Sequence, residues 1–295
     1  MRILLTGKNG QVGFELQRAL APLGEISAVD QPDCDLTDPQ AIRSLAQAIH
    51  PDIIVHPAAY TAVDRAESEP DLAMAINGTA PRVLGEEAAK IGALMVHYCT
   101  DYVYDGCKPS FYREDDTPNP QSVYGKSKLE GTEALRQSTD NHLIFRTCWV
   151  FGAHGANFVK TMLRLAGERE SLKVVADQFG APTSAALIAD VTAQVIGQYQ
   201  RSERGHFPFG LYHLAAGGVT TWCDFAKTVI EAAHRAGKAL KVRPEDISPI
   251  TTAEYPLPAS RPANSRLATD KLRETFGLCL PSWQEGLNHI LQQIL

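Results

Sequence analysis

Apolar and polar positions alternate along the first half of the chain in two rhythms. Short runs that are apolar throughout, RILLT (2–6), EISAVD (25–30), DIIVHPA (52–58), ALMVHYCT (93–100) and HLIFRTCWVFG (142–152), read as strands. Strands this apolar are buried on both faces, as in a parallel sheet covered by helices. Segments with helical spacing separate them: residue 11 to about 23, a stretch capped by Thr37 or Asp38 with Pro39 near its first position, roughly 71–91, and 122–138 capped by Ser122. Strand and helix in turn predict an α/β fold with a doubly wound, mostly parallel sheet of the Rossmann type. After about residue 153 the rhythm changes. Helices are expected at 157–168, 184–200, 221–237 and 282–294, joined by longer, Pro-rich connections. The expected division is a nucleotide-binding domain, 1–152, and a mainly helical substrate-binding region, 153–295, with segments returning to the sheet.

The first strand runs into TGKNGQVG, where Gly7, Gly10 and Gly13 stand at a strand-to-helix turn. Such glycines make the turn tight, let backbone approach a pyrophosphate and let helix pack on strand. The helix N-terminus adds free N–H groups and a positive dipole end. Asp30, ending the second strand, is placed to accept hydrogen bonds from a ribose, which favours NAD(H). Lys8, in the loop, offsets repulsion of a 2′-phosphate, so NADH and NADPH both stay open. Asp35 and Leu36 either edge the adenine or form a plain turn.

Composition gives roughly 0.3 chance matches to a Tyr-x-x-x-Lys pattern, and the chain holds two. Tyr104/Lys108 lies among Gly106 and Pro109, which oppose a helix, and is set aside. Tyr124/Lys128 sits at a helix start, where a spacing of four puts both side chains on one face. A lysine there lowers the phenol's pKa, so the tyrosine can exchange a proton with a carbonyl oxygen as hydride moves. Lys128 can also hold the nicotinamide ribose. Thr100, ending the fourth strand at the carboxyl edge, can hydrogen-bond the same oxygen.

With these features in place, the chain resembles the extended short-chain dehydrogenase/reductase superfamily, and within it the dTDP-4-dehydrorhamnose reductase branch. The stretches that carry the likeness are TGKNGQVG, HPAAYTAVDRAE, AINGTAP, CTDYVYDG, YGKSKLEGTE, FRTCWVFG, DQFGAPT, LYHLAAGG and SRPANSRL. The resemblance implies NAD(P)H-dependent reduction of the 4-keto group of dTDP-4-dehydro-β-L-rhamnose, the last step in making an activated rhamnose for surface polysaccharide. By matching position, Gly7, Gly10, Gln11, Val12, Asp30, Ala58, Ala59 and Tyr60 would line the cofactor. Thr100, Tyr124 and Lys128 would be catalytic, and Tyr102, Tyr104, Trp149 and Arg261 would face the sugar nucleotide. Asn77 matches a position that supports the active site. Some members dimerise through magnesium. Glu15 matches one ligand, but Ala186 and the glutamines of HILQQIL replace the others, and neutral amides suit a hard dication poorly. A monomer or weak homodimer is therefore expected.

Charge and cysteine usage narrow the classes further. A net charge of −6 argues against a nonspecific nucleic-acid partner. No apolar run approaches a membrane span, and the N-terminus lacks a signal-peptide pattern, so a cytoplasmic protein is expected. Six scattered cysteines predict neither a zinc site nor a disulfide framework, and no protein-built metal site is assigned. Two rivals remain. One is a sugar-nucleotide epimerase or dehydratase of the same superfamily, for which Asp101 supplies an acid beside Thr100. The other is a non-catalytic, NADP-binding regulatory subunit, of the kind that serves methionine adenosyltransferase.

Overall fold

In the computed structural model, which describes residues 1–202 and 206–295, the five apolar runs form strands β1 (Arg2–Thr6), β2 (Glu25–Val29), β3 (Ile53–His56), β4 (Leu94–Thr100) and β5 (His142–Thr147). A sixth parallel strand, Gly210–His213, comes from the second half and pairs with β5. The order across the sheet is that sixth strand, then β5, β4, β3, β1 and β2. Ile3 and Leu5 of β1 belong to one buried cluster and Leu4 to another; β3, β4 and β5 divide in the same way. Continuous hydrophobicity is thus what two buried faces require.

Helices α1 (Gln11–Leu20), α2 (Pro39–Ile49), α3 (Val63–Ala66), α4 (Pro70–Met74), α5 (Ala80–Ile91), α6 (Val123–Ser138), α7 (Phe158–Glu168), α8 (Ala185–Arg201), α9 (Trp222–Arg235), α10 (Asp270–Phe276) and α11 (Trp283–Ile294) complete the frame. Leu16 and Leu20 of α1 meet Ile188 and Val195 of α8 on one face of the sheet. Ile42 of α2, Val83 and Leu84 of α5 and Leu135 of α6 cover the other. A third cluster, including Val159, Phe225 and Leu287, lies in the second half. There, short strand pairs tie the helices together, such as Ile247–Ile250 along Leu172–Val175. None of the helices described is long and apolar enough to cross a membrane.

Three expected elements are corrected. The helix over 71–91 is interrupted by a π segment, Ala75–Thr79, between α4 and α5. One extra residue per turn there changes the direction of Asn77 without breaking the apolar face. Gly131 of α6 lets the two elements touch, since a Cβ on it would lie 1.9 Å from the Asn77 carbonyl oxygen. The strand over 142–152 stops at Thr147, and Trp149 takes a left-handed conformation with φ +49° before pairing resumes at Val150–Phe151. The strand over 25–30 ends at Val29, leaving Asp30 in the following turn.

Candidate active site

The strand order reverses direction between β1 and β3, and ligands in such sheets bind outside the carboxyl ends at that switch. A cleft of about 1060 Å³ opens there. Its floor is the glycine turn. Gly10 begins α1 and no side chain caps it, so the first N–H groups of the helix face the cleft. A Cβ on Gly13 would lie 1.9 Å from the Gly7 carbonyl oxygen, so this packing excludes any larger residue. An uncapped helix end behind a turn without side chains fits the pyrophosphate of a dinucleotide. Asn157, which caps α7, donates to the Gln11 side chain at 3.0 Å and so links the second half to this turn.

Asp30 accepts from the Asn9 N–H at 3.0 Å and the Gln31 N–H at 2.8 Å, so its carboxylate is fixed at the rim. Lys8 does not point freely to that rim: its ammonium donates to Asp33 at 2.7 Å. Asp35 accepts from both the N–H and the hydroxyl of Thr37, which hold its carboxyl below the usual range. Asp35 and Leu36 also line the cleft, as do Gly7, Gln11, Val12, Ala58, Ala59 and Tyr60. Asn77 clamps Tyr60, accepting from its N–H at 2.8 Å and donating to its carbonyl at 3.0 Å. The same amide donates to Ser127 at 3.1 Å, and Ser127 donates to the Tyr124 carbonyl at 2.9 Å. The π segment thus sets the start of α6 against the loop after β3.

Ser122 caps α6 by accepting from the Gly125 N–H at 3.1 Å. Tyr124 and Lys128, one turn apart, both line the cleft opposite Thr100. The expectation that Lys128 depresses the Tyr124 pKa is corrected. Burial pushes the phenol well above its ordinary value, and the Thr100 hydroxyl opposes this only in part. Lys128 itself is 3% exposed and, among the described residues, its ammonium has no hydrogen-bond partner. Burial lowers it to about 8. Beneath it His56 and His97 stack at 5.5 Å, both driven toward the neutral form by burial and by the lysine.

The four residues expected to face a sugar nucleotide divide. Tyr102 lies edge-on to Tyr124 with ring centroids 5.4 Å apart, and Trp149 stacks on Trp222 at 3.6 Å; these four rings all line the cleft. Tyr104 is not brought to it. The 3₁₀ turn Asp101–Val103 breaks the extended spacing that would have pointed both tyrosines one way. Tyr104 is 1% exposed. Its hydroxyl donates to the Arg113 carbonyl at 2.8 Å, accepts from Arg146 at 2.7 Å and lies 2.9 Å from His213 Nε2. Lys108, its partner in the discarded motif, pairs instead with Asp116. Arg261 stands outside the cleft lining, its fork held by Asp64 through two bonds of 2.6 Å. Trp222 and Asn157 carry no local signal in the sequence. Both reach the cleft from the second half of the chain, at the starts of α9 and α7, and only the tertiary fold brings them there.

The family described as "RmlD substrate binding domain" matches residues 1–295. The chain belongs to this family. It is 48% identical over 298 residues to a dTDP-4-dehydrorhamnose reductase of Shigella flexneri, covering 100% of this chain and 98% of that protein. A crystal structure of a dTDP-4-dehydrorhamnose reductase from Clostridium acetobutylicum superposes with a TM-score of 0.91 at 37% identity, covering 99% of each chain. One from Bacillus anthracis, solved in complex with NADP, gives 0.89 at 37% identity, again with 99% of each chain. These likenesses share the doubly wound architecture. Glu15, which the resemblance matches to a magnesium ligand, is buried on α1. Its carboxylate accepts from Arg18 at 3.4 Å, and the Arg18 guanidinium also donates to Asp190 at 2.9 Å.

Proposed function

We propose that the chain reduces the 4-keto group of dTDP-4-dehydro-β-L-rhamnose to give dTDP-β-L-rhamnose, using NADPH or NADH. The observation that carries the reading is the meeting of Thr100, Tyr124 and Lys128 with the uncapped glycine turn in one cleft. The glycine turn and Gln11–Val12 hold the pyrophosphate, Asp30 the adenosine ribose, and Lys128 the nicotinamide ribose. Ala58, Ala59 and Tyr60 flank the dinucleotide. When bound, the reduced nicotinamide supplies a hydride for the carbonyl carbon. Thr100 and Tyr124 hydrogen-bond the carbonyl oxygen, and Tyr124 gives it a proton. The raised pKa of the phenol keeps that proton in place at neutral pH, as a donor requires. Tyr102 and Trp149 supply ring faces for the sugar nucleotide. Arg261 exchanges Asp64 for the diphosphate, to which its fork is suited.

In this reading residues 1–152 bind the dinucleotide and 153–295 mainly the substrate, in a cytoplasmic monomer or weak homodimer. The test follows reduced nicotinamide absorbance with the 4-keto sugar nucleotide and either cofactor, with the product identified by mass. Oxidation of neither NADPH nor NADH would refute the reading. A dehydratase, the second reading, is favoured by buried Asp101 beside Thr100. It predicts NAD⁺ retained through purification and no net oxidation.

A further inference from the structure

Beside Thr100 the cleft holds a buried carboxyl that the proton transfer above does not use. Asp101, 2% exposed, follows Thr100 directly. The Thr100 hydroxyl donates to Asp101 Oδ1 at 3.0 Å and accepts from the Tyr102 N–H at 3.2 Å. Ser265 donates to Asp101 Oδ2 at 2.5 Å. A hydroxyl has one proton and two acceptor sites. While Asp101 is ionised, it takes the Thr100 proton, and Thr100 then turns a lone pair toward any carbonyl oxygen beside Tyr124. If Asp101 carries a proton on Oδ1, the bond reverses. Both acceptor sites of Thr100 are then filled, by Asp101 and by the Tyr102 N–H, and its own proton is left for the cleft.

We infer that Asp101 is a positioning residue that must be protonated for Thr100 to donate to the substrate carbonyl. The inference rests on the reading above, in which Thr100 and Tyr124 share that oxygen. Asp101 keeps its proton through the reaction; the proton that moves is the phenol's.

The surroundings shift the carboxyl toward the neutral acid relative to a hydrated aspartate. Facing it are Tyr124 from α6, Tyr102 on its own turn, Cys148 beyond β5 and Ser265 from the Pro-rich loop. None of these is a cation. Arg261 and Asp64 face Tyr102 as a closed pair. Burial raises the Asp101 carboxyl to about 6, against the two hydroxyl bonds that lower it. Ser265 keeps the second oxygen as an acceptor, so the proton falls on the oxygen that faces Thr100.

Asp101→Asn tests this directly. An amide can accept from Ser265 and donate to Thr100, which fixes the polarity the inference requires. In wild type, the rate of substrate reduction at saturating NADPH should fall as pH rises above about 6. The drop should approach the 10²–10³-fold typical of losing one oxyanion-hole donor. Asp101→Asn should keep the low-pH rate within a few-fold and lose this limb. Ser265→Ala removes a bond that stabilises the carboxylate, so its limb should move to higher pH.

A readout without turnover uses NADP⁺ and the 4-keto sugar nucleotide, which cannot react together. The infrared band of a protonated carboxyl should be stronger in that complex than in free wild type, and the increase should be absent from Asp101→Asn. Wild-type turnover with a flat profile over this range would overturn the inference while leaving the functional reading intact. So would an Asp101→Asn variant that keeps the wild-type limb, or an unshifted limb in Ser265→Ala. No turnover of this substrate by wild type would remove the reading and the inference with it.

Discussion

Lys128→Met should make the ligand-free protein more stable, although it removes a residue of the candidate active site. Lys128 is buried as a residue and, among the described residues, its ammonium has no counter-ion; burial lowers its pKa from 10.5 to about 8. A tenfold change in a proton-binding constant is worth about 1.4 kcal/mol, so holding the charge inside the fold at neutral pH costs about 3 kcal/mol. Methionine keeps most of the stem and carries no charge. For 295 residues, an unfolding entropy of about 2 cal/mol/K per residue turns that gain into a rise in Tm of about 5 °C. The pH dependence carries the sharper signature. Between about 8 and 10.5 the unfolded chain binds more protons at this site than the folded one, so wild-type stability rises with pH there. The gap between variant and wild type should be constant below pH 8 and close by pH 10.5. Urea unfolding of both proteins from pH 6 to 11 measures it, and subtracting one from the other removes the titration of shared groups. NADPH affinity, by titration at pH 7, should move the other way and weaken. A variant less stable than wild type at pH 7, or a gap that ignores pH, would refute the claim that this charge is held at the fold's expense.

Other outcomes follow from the same geometry. Tyr124→Phe should lower the reduction rate by about 10²–10⁴-fold and leave the NADPH dissociation constant within about twofold, because only the proton donor is lost. Tyr104→Phe should leave that rate intact and instead destabilise the fold by about 1–3 kcal/mol in urea, since buried Arg146 loses a partner. Asp33→Asn releases Lys8 toward the rim of the dinucleotide site. It should raise NADPH affinity relative to NADH by about 2–5-fold, the scale of an exposed ion pair. Equal changes for the two cofactors would show that Lys8 does not sense the 2′-phosphate.

The parts of the fold that are legible in the sequence are those where local pattern and tertiary demand coincide. Leu4 and Leu5 must both be buried because helices cover both faces of the sheet, and a continuous apolar run records that. Ser122 announces α6 because its bond to Gly125 is local. The glycine turn is legible because close approach admits nothing larger at residue 13. The π segment leaves no trace, since Ala73, Ala80 and Val83 stay on a helical face while Asn77 is turned aside between them. Trp149 has the local pattern of a strand residue, but its left-handed backbone goes with stacking on Trp222, which is distant in sequence. Tyr102 and Tyr104 point the same way only in an extended chain, and one 3₁₀ turn separates them. Lys8 and Arg261 look like free cations in the sequence, because nothing local selects Asp33 and Asp64 as their partners among 34 acids.

The departure of Tyr124 from its expected pKa has a more general cause. Spacing on a helix gives the distance between Tyr124 and Lys128 but says nothing of the medium around them. A neighbouring ammonium lowers a phenol's pKa where both remain hydrated. Inside the cleft each group loses water, and desolvation drives both toward their neutral forms, the phenol upward and the lysine downward. Asp101 moves in the same sense. Three groups in one cleft are thus biased against charge by the same dry walls. A dinucleotide and a sugar diphosphate bring negative charge, and bound near Lys128 they would offset the cost of its ammonium. The ligand-free protein therefore carries the cost of a charge that only anions relieve, and part of the binding free energy should appear as a return of Lys128 toward its ordinary pKa.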